Sequence, residues 1–188
     1  MPASHTVGVI VGSLRKESFN RRIAKAAMAV APASLSLSFI EIRDLPHYDA
    51  DLETASPPAA WTAFRDAVRA VDALLFVTPE YNRSVPGALK NAIDVGSRPP
   101  GKSVWNGKPC AVISVTQGPL GALGANHHLR QTFVPLNMPA MPAPEAYIGG
   151  AAALFDDKGE LNTGTRDFLA KFMDAYGKWV ARHLAPLP

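Results

Sequence analysis

Val7-Gly8-Val9-Ile10-Val11, followed by Gly12-Ser13-Leu14-Arg15-Lys16-Glu17-Ser18-Phe19-Asn20, runs from apolar, mostly β-branched residues through a polar loop into a helical pattern. Phe19, Ile23, Ala26, Ala27 and Val30 fall at helical spacing and give that segment one apolar face. The same succession recurs along the chain. Apolar runs at Leu37 to Ile42, Ala73 to Val77 and Ala111 to Val115, with a shorter one at Ala146 to Gly149, alternate with amphipathic stretches. One stretch carries Trp61, Phe64, Ala67, Val68 and Val71; a terminal helix from about Thr165 to His183 stripes Leu169, Phe172, Met173, Tyr176 and Val180. Near-continuous runs such as ALLFV belong to parallel strands covered on both faces. Five such units predict an α/β doubly wound three-layer sandwich with a central five-stranded parallel sheet, as one domain over residues 1–188. Ligands in such folds bind beyond the carboxyl ends of the strands, which selects the loops at 12–20, 78–87 and 116–125.

In the first loop, a phosphate at the helix start would meet free backbone N–H groups and the positive end of the helix dipole. Ser13, Ser18 and Asn20 add donors, and Arg15 offers a charge-assisted contact. A plainer role is also open, with Ser18 as a helix cap and Arg15 as a solvated charge. Neither G-x-G-x-x-G nor G-x-x-x-x-G-K-[ST] is present, so a mononucleotide phosphate fits better than a dinucleotide. The second loop, Thr78-Pro79-Glu80-Tyr81-Asn82-Arg83-Ser84-Val85-Pro86-Gly87, is stiffened by prolines at both ends. Backbone groups of Glu80 to Asn82 and the Asn82 side chain suit the hydrogen-bonding edge of a planar ring such as a flavin. A turn holding a solvated acid and a packed aromatic would read the same. The third loop, from Thr116, Gln117 and Gly118 to Ala125, has three glycines. These let a backbone approach a ring closely, or serve turn geometry alone.

Adjacent His127 and His128 project about 100° apart on a helix, and no Cys, Asp or Glu follows at i+3 or i+4, so no metal site is expected. Cys110, the one cysteine, opens an apolar strand and reads as a buried small hydrophobe. A single thiol forms no internal disulfide, which suits a reducing cytoplasm. No basic leader and no membrane-spanning apolar run are visible, so neither membrane nor extracellular placement is expected. The formal charge is +3 with the 19 Lys and Arg scattered, which argues against a nucleic-acid partner and is compatible with steering anionic ligands.

GSLRKESFN, TPEYNRSVPGALKNAID and HLRQ, in this order on the strand-to-helix loops, resemble the NADPH-dependent FMN reductase family, in particular its bacterial quinone and chromate reductase branch. The resemblance runs nearly the whole chain. It implies a flavodoxin-like fold, tightly bound FMN, NAD(P)H as donor, small-molecule electron acceptors and a homodimer or homotetramer. Carried over by position, it assigns Ser13, Arg15, Ser18, Phe19 and Asn20 to the flavin phosphate. Pro79, Glu80, Tyr81 and Asn82 go to the isoalloxazine, followed by Thr116, Gln117 and Gly118. The implied reaction is ping-pong hydride transfer to quinones, with azo, nitro, chromate or free-flavin acceptors as further options. This chain departs from the branch at Arg83, where an aromatic is frequent, and at Leu123-Gly124, where Ala-Arg is frequent; Glu145 matches. A flavodoxin-type electron carrier of the same topology would be strongly acidic, and a receiver-like domain would need clustered acids after the first strand. This chain has neither feature.

Overall fold

In the computed structural model, which describes residues 4–185, β1 (His5–Val11) lies between β2 (Leu35–Phe39) and β3 (Ala73–Thr78). Beyond β3 come β4 (Cys110–Val115) and β5 (Ala146–Ile148), every pair parallel, in the order β2-β1-β3-β4-β5. That is the flavodoxin-like order, whose strand direction of growth reverses between β1 and β3. The five helices are α1 (Phe19–Ala29), α2 (Ala59–Arg69), α3 (Gly87–Gly96), α4 (Leu123–Phe133) and α5 (Thr163–Leu184). None of the described helices is long and apolar enough to cross a membrane.

The two sides of the sheet carry separate cores. Val7, Val9 and Val11 of β1 pack with Ile23 and Ala27 of α1 and with Phe172 and Tyr176 of α5. Ile10, on the opposite face, joins Trp61 and Phe64 of α2, Leu89 of α3 and Phe133 of α4. Every residue of β3 and β4 is buried, as their continuous apolar runs require. Cys110 sits fully buried at the start of β4, and burial pushes its thiol pKa far up.

The second strand departs from expectation. It covers Leu35–Phe39 rather than Leu37 to Ile42, with Ser36 and Ser38 turned to solvent as befits an edge. Ile40 N–H makes one more bond to Val9 O (3.0 Å), and the chain then turns. Ile40 and Ile42 are apolar because they enter the second core, whereas Leu35, Leu37 and Phe39 serve the first. One apolar run thus feeds two cores. Similarly, α2 stops at Arg69 and Val71 packs from the following turn, where Lys108 Nζ donates to the carbonyls of Arg69 and Val71.

At the amino ends of the central strands, Asp72 clamps β1 to β3. Its Oδ2 accepts from both the N–H and the hydroxyl of Thr6, each at 2.8 Å, and its own N–H donates to Thr6 Oγ1 (3.1 Å). Burial alone would raise the Asp72 pKa, but the Thr6 bonds and the nearby His5 and Lys108 outweigh it, and the net shift is downward. A carboxyl with a lowered folded-state pKa stabilises above its unfolded value, about pH 4, and that contribution disappears as the pH falls through the folded value. Asp72→Asn is therefore expected to cost about 0.5 kcal/mol at pH 7, the solvent around this exposed carboxylate screening the effect, with the deficit shrinking toward pH 3. Urea unfolding of both proteins across that range measures it, and a deficit independent of pH would refute the assignment.

Candidate active site

The β1 loop leaves the sheet at Gly12, whose N–H donates to Val77 O (2.8 Å) and holds the loop root against β3. Ser18 then starts α1, its Oγ accepting from Arg21 N–H (3.3 Å). Ser13, Ser18 and Asn20 are buried, while Arg15 projects into solvent. No amide from Ser13 to Asn20 donates a hydrogen bond among the described residues. Asn20 spans to the end of β4, donating from Nδ2 to Val115 O (3.4 Å), yet its buried Oδ1 has no partner. An unpaired buried acceptor beside a run of free N–H groups is costly unless a ligand satisfies it.

The β3 loop folds into a two-residue hairpin. Tyr81 and Ser84 exchange both backbone bonds at 3.0 Å, and Asn82 (φ 51°) and Arg83 (φ 63°) between them are left-handed, as a type I′ turn demands. Asparagine tolerates that conformation; arginine does so at a cost. Ser84 Oγ binds His128 Nδ1 (2.7 Å), fastening the hairpin to α4. Glu80 points away from solvent, and its Oε2 accepts from Ala125 N–H (2.9 Å) in the first turn of α4, where the helix has no cap of its own from Ala122. Arg83 lies 3.6 Å from the other carboxylate oxygen. Gly124 makes this possible, because a Cβ there would stand 2.9 Å from Glu80 Oε2 and 3.1 Å from Arg83 O. The two departures noted in the sequence, Arg83 and Gly124, therefore meet at Glu80.

The β4 loop rests on a buried polar chain. Ser114 Oγ donates to Gly121 O (2.7 Å) and receives Asn126 Nδ2 (3.1 Å), while Arg130 joins Asn126 Oδ1 to Met141 O, both at 2.9 Å. Gly121 has φ 58°, and a Cβ there would fall 2.5 Å from the Tyr147 carbonyl carbon, so side chains are excluded. His127 Nε2 lies 3.0 Å from the Tyr147 hydroxyl with the two rings stacked. Burial, followed by Glu145, pushes the Tyr147 pKa up to about 12. The two histidines thus have separate partners, and no metal-binding group forms among the described residues.

The three loops converge on a groove at the β1/β3 reversal. One part, about 110 Å³, is lined by Ser13, Arg15, Ser18, Phe19, Asn20, Pro79, Glu80, Tyr81, Val115, Thr116 and Gln117. Arg15 and Tyr81 also border an adjoining part of about 330 Å³, between Gly12, Leu14 and the α3 start at Pro86-Gly87-Ala88. Ten of the twelve residues singled out in the sequence thus share one wall. Asn82 lies out in the hairpin turn, and Gly118 faces Gly150, whose N–H its carbonyl accepts at 3.2 Å. Sequence reasoning missed Val115, read only as strand, and the Pro86 to Ala88 lip; the signal available was position, since both end or begin an element at the same edge. Another cavity of about 330 Å³, between α1 and the turn around Gly159, is lined by no residue of the three loops.

Residues 5–153 match the family described as NADPH-dependent FMN reductase. The chain is 59% identical over 180 residues to a quinone reductase of Pseudomonas putida, covering 96% of this chain and 97% of that one. It is 44% identical to a 2-hydroxy-1,4-benzoquinone reductase of a Burkholderia species, covering 93% and 95%. Among solved structures, the flavoenzyme NAD(P)H:(acceptor) oxidoreductase FerB of Paracoccus denitrificans superposes with a TM-score of 0.89 at 40% identity, covering 95% of this chain and 98% of that one. Fold order, the converging loops and these likenesses agree: the chain belongs to the NADPH-dependent FMN reductase family.

Proposed function

We propose that this protein is an FMN-dependent NAD(P)H oxidoreductase that reduces quinones and similar flat acceptors, with the groove at the β1/β3 reversal as its flavin site. The observation that carries this reading is the unsatisfied polar lining: a run of free amides, the Ser13 hydroxyl and the orphan Asn20 Oδ1, all at one helix start. That donor set fits a phosphate at the amides with Ser13, Arg15 and Ser18, and a ligand hydroxyl at Asn20 Oδ1. Phe19 supplies apolar wall. Pro79 to Asn82 and Thr116 to Gly118 offer backbone groups to a ring edge, and Tyr81, 53% exposed, forms one side of the mouth. Bound FMN supplies a ring that accepts hydride from NAD(P)H and passes two electrons on to an acceptor.

The protein's own part is positioning. Glu80 on the α4 start and the Ser84–His128 bond hold the hairpin to α4, so the loops around the groove are fixed relative to each other. With one groove serving donor and acceptor in turn, ping-pong kinetics are expected. His127 and His128 are committed to Tyr147 and Ser84, so neither is assigned a catalytic role. The relatives named for quinone reduction support quinones as the acceptor class. Assembly as a homodimer or homotetramer is part of the same reading; Leu120, Leu123 and Val134, large and exposed along the third loop and α4, support it.

Anaerobic titration of the FMN-loaded protein should bleach the flavin spectrum with NAD(P)H and restore it with benzoquinone; a flavin that no nicotinamide donor bleaches would point to an electron carrier. Asn20→Ala is expected to weaken FMN binding about tenfold and to cost the apoprotein about 1 kcal/mol, because the bond to Val115 O is lost with the unpaired Oδ1. FMN titration and thermal unfolding separate those effects, and unchanged affinity would exclude Asn20 from the flavin contacts. Arg83→Gly should stabilise by about 0.5–1 kcal/mol through relief of the left-handed backbone, and should lower kcat/KM for carboxylated quinones relative to neutral ones; equal loss for both would remove Arg83 as a selector of acceptor charge.

A further inference from the structure

On the β2 side of the same loop lies a second polar pocket, about 270 Å³, lined by Ser13, Leu14, Arg15, Lys16, Arg21, Glu41 and Arg43 among others. Four cations and one carboxylate face it, so its local excess of positive charge equals the formal +3 of the entire chain. The carboxylate is already engaged. Arg21 lies over the Phe39 ring at 4.4 Å and grips both oxygens of Glu41, the Nη1–Oε2 bond being 3.0 Å. Arg43 spends one nitrogen on Leu14 O, which braces the loop and leaves the rest of its guanidinium for the pocket. Arg15 and Lys16 make no hydrogen bond or ion pair among the described residues and are exposed. Water-sized guests occupy about 30 Å³ each, so the volume accommodates a phosphate with part of its hydration shell.

We infer that this pocket binds the 2′-phosphate of NADPH, through Lys16 and Arg43, and so makes the protein prefer NADPH to NADH. The inference rests on the oxidoreductase reading above. The flavin phosphate is assigned to the other side of the loop, at the α1 start, and the two anion sites share only Ser13 and Arg15. The place is also chemically apt. A free carboxylate accepts from the ribose 2′-hydroxyl of NADH, whereas an arginine accommodates a 2′-phosphate. Here the acid, Glu41, has both oxygens occupied by Arg21, and the uncommitted charges are cations. Arg21 thereby acts as a positioning residue that silences the carboxylate.

The test uses FMN-loaded protein, in which the flavin phosphate site is filled. Calorimetric titration should show 2′,5′-ADP binding at least about tenfold tighter than 5′-AMP, and steady-state assays should show kcat/KM favouring NADPH over NADH. In Lys16→Glu both ratios should fall toward one at unchanged flavin content, and in Arg43→Gln, measured on the FMN-loaded fraction because this arginine also braces the loop, they should fall likewise. Equal binding of the two nucleotides by the wild-type protein, an NADH-preferring enzyme, or ratios unmoved by either substitution would overturn the inference. The calorimetric arm needs no turnover, so a protein whose flavin no donor reduces would refute the oxidoreductase reading while still measuring this pocket's selectivity.

Discussion

Backbone polarity at the β1/β3 reversal governs the rest of this molecule. On either side of that line the connections leave toward opposite faces of the sheet, and a groove opens between the loop after β1 and the loop after β3. No amide from Ser13 to Asn20 donates a hydrogen bond among the described residues, and the buried Asn20 Oδ1 has no partner. Such a deficit is costly, and a bound phosphorylated ligand would relieve it; the buried Tyr176 hydroxyl, also without a partner, lies in the α5 core away from the groove. The cofactor requirement is in this sense a property of the topology, with Ser13, Ser18 and Asn20 adapting it to a phosphorylated ligand.

Rigidity around that deficit comes from an acid used far from any proton transfer. Glu80 sits at the amino end of α4, where the helix dipole favours a negative charge and where Ala122 offers no cap. The carboxylate is thus structural, and it couples the two loops that flank the groove. Its neighbour Arg83 tolerates an unfavourable backbone conformation in a turn whose geometry the strand twist selects. Gly124 completes the arrangement by leaving room for the carboxylate.

Much of this was legible beforehand. Buried parallel strands announce themselves as unbroken apolar runs, and β3 and β4 were placed almost to the residue for that reason. The edge strand was not, since Ile40 and Ile42 continue an apolar rhythm while packing on the other face. For the site, residue type and position after a strand found the groove's wall. The partners of those residues were beyond reach: nothing local signals that Glu80 caps a helix over forty positions away. Nor does sequence spacing reveal that Arg15, Lys16, Arg21 and Arg43 gather around one pocket, because β1 and β2 bring them together only through register.

The location of the single sulfhydryl has a bearing on chemical durability. Quinones are electrophiles that alkylate thiolates as readily as they take up electrons, so a protein working on them is exposed to covalent self-poisoning. Thiolate formation is what makes sulfur vulnerable. Cys110 lies wholly inside the sheet, and its burial keeps the sulfur protonated at any physiological pH. No other cysteine exists in the chain. The enzyme can therefore turn over arylating compounds without offering them a thiolate.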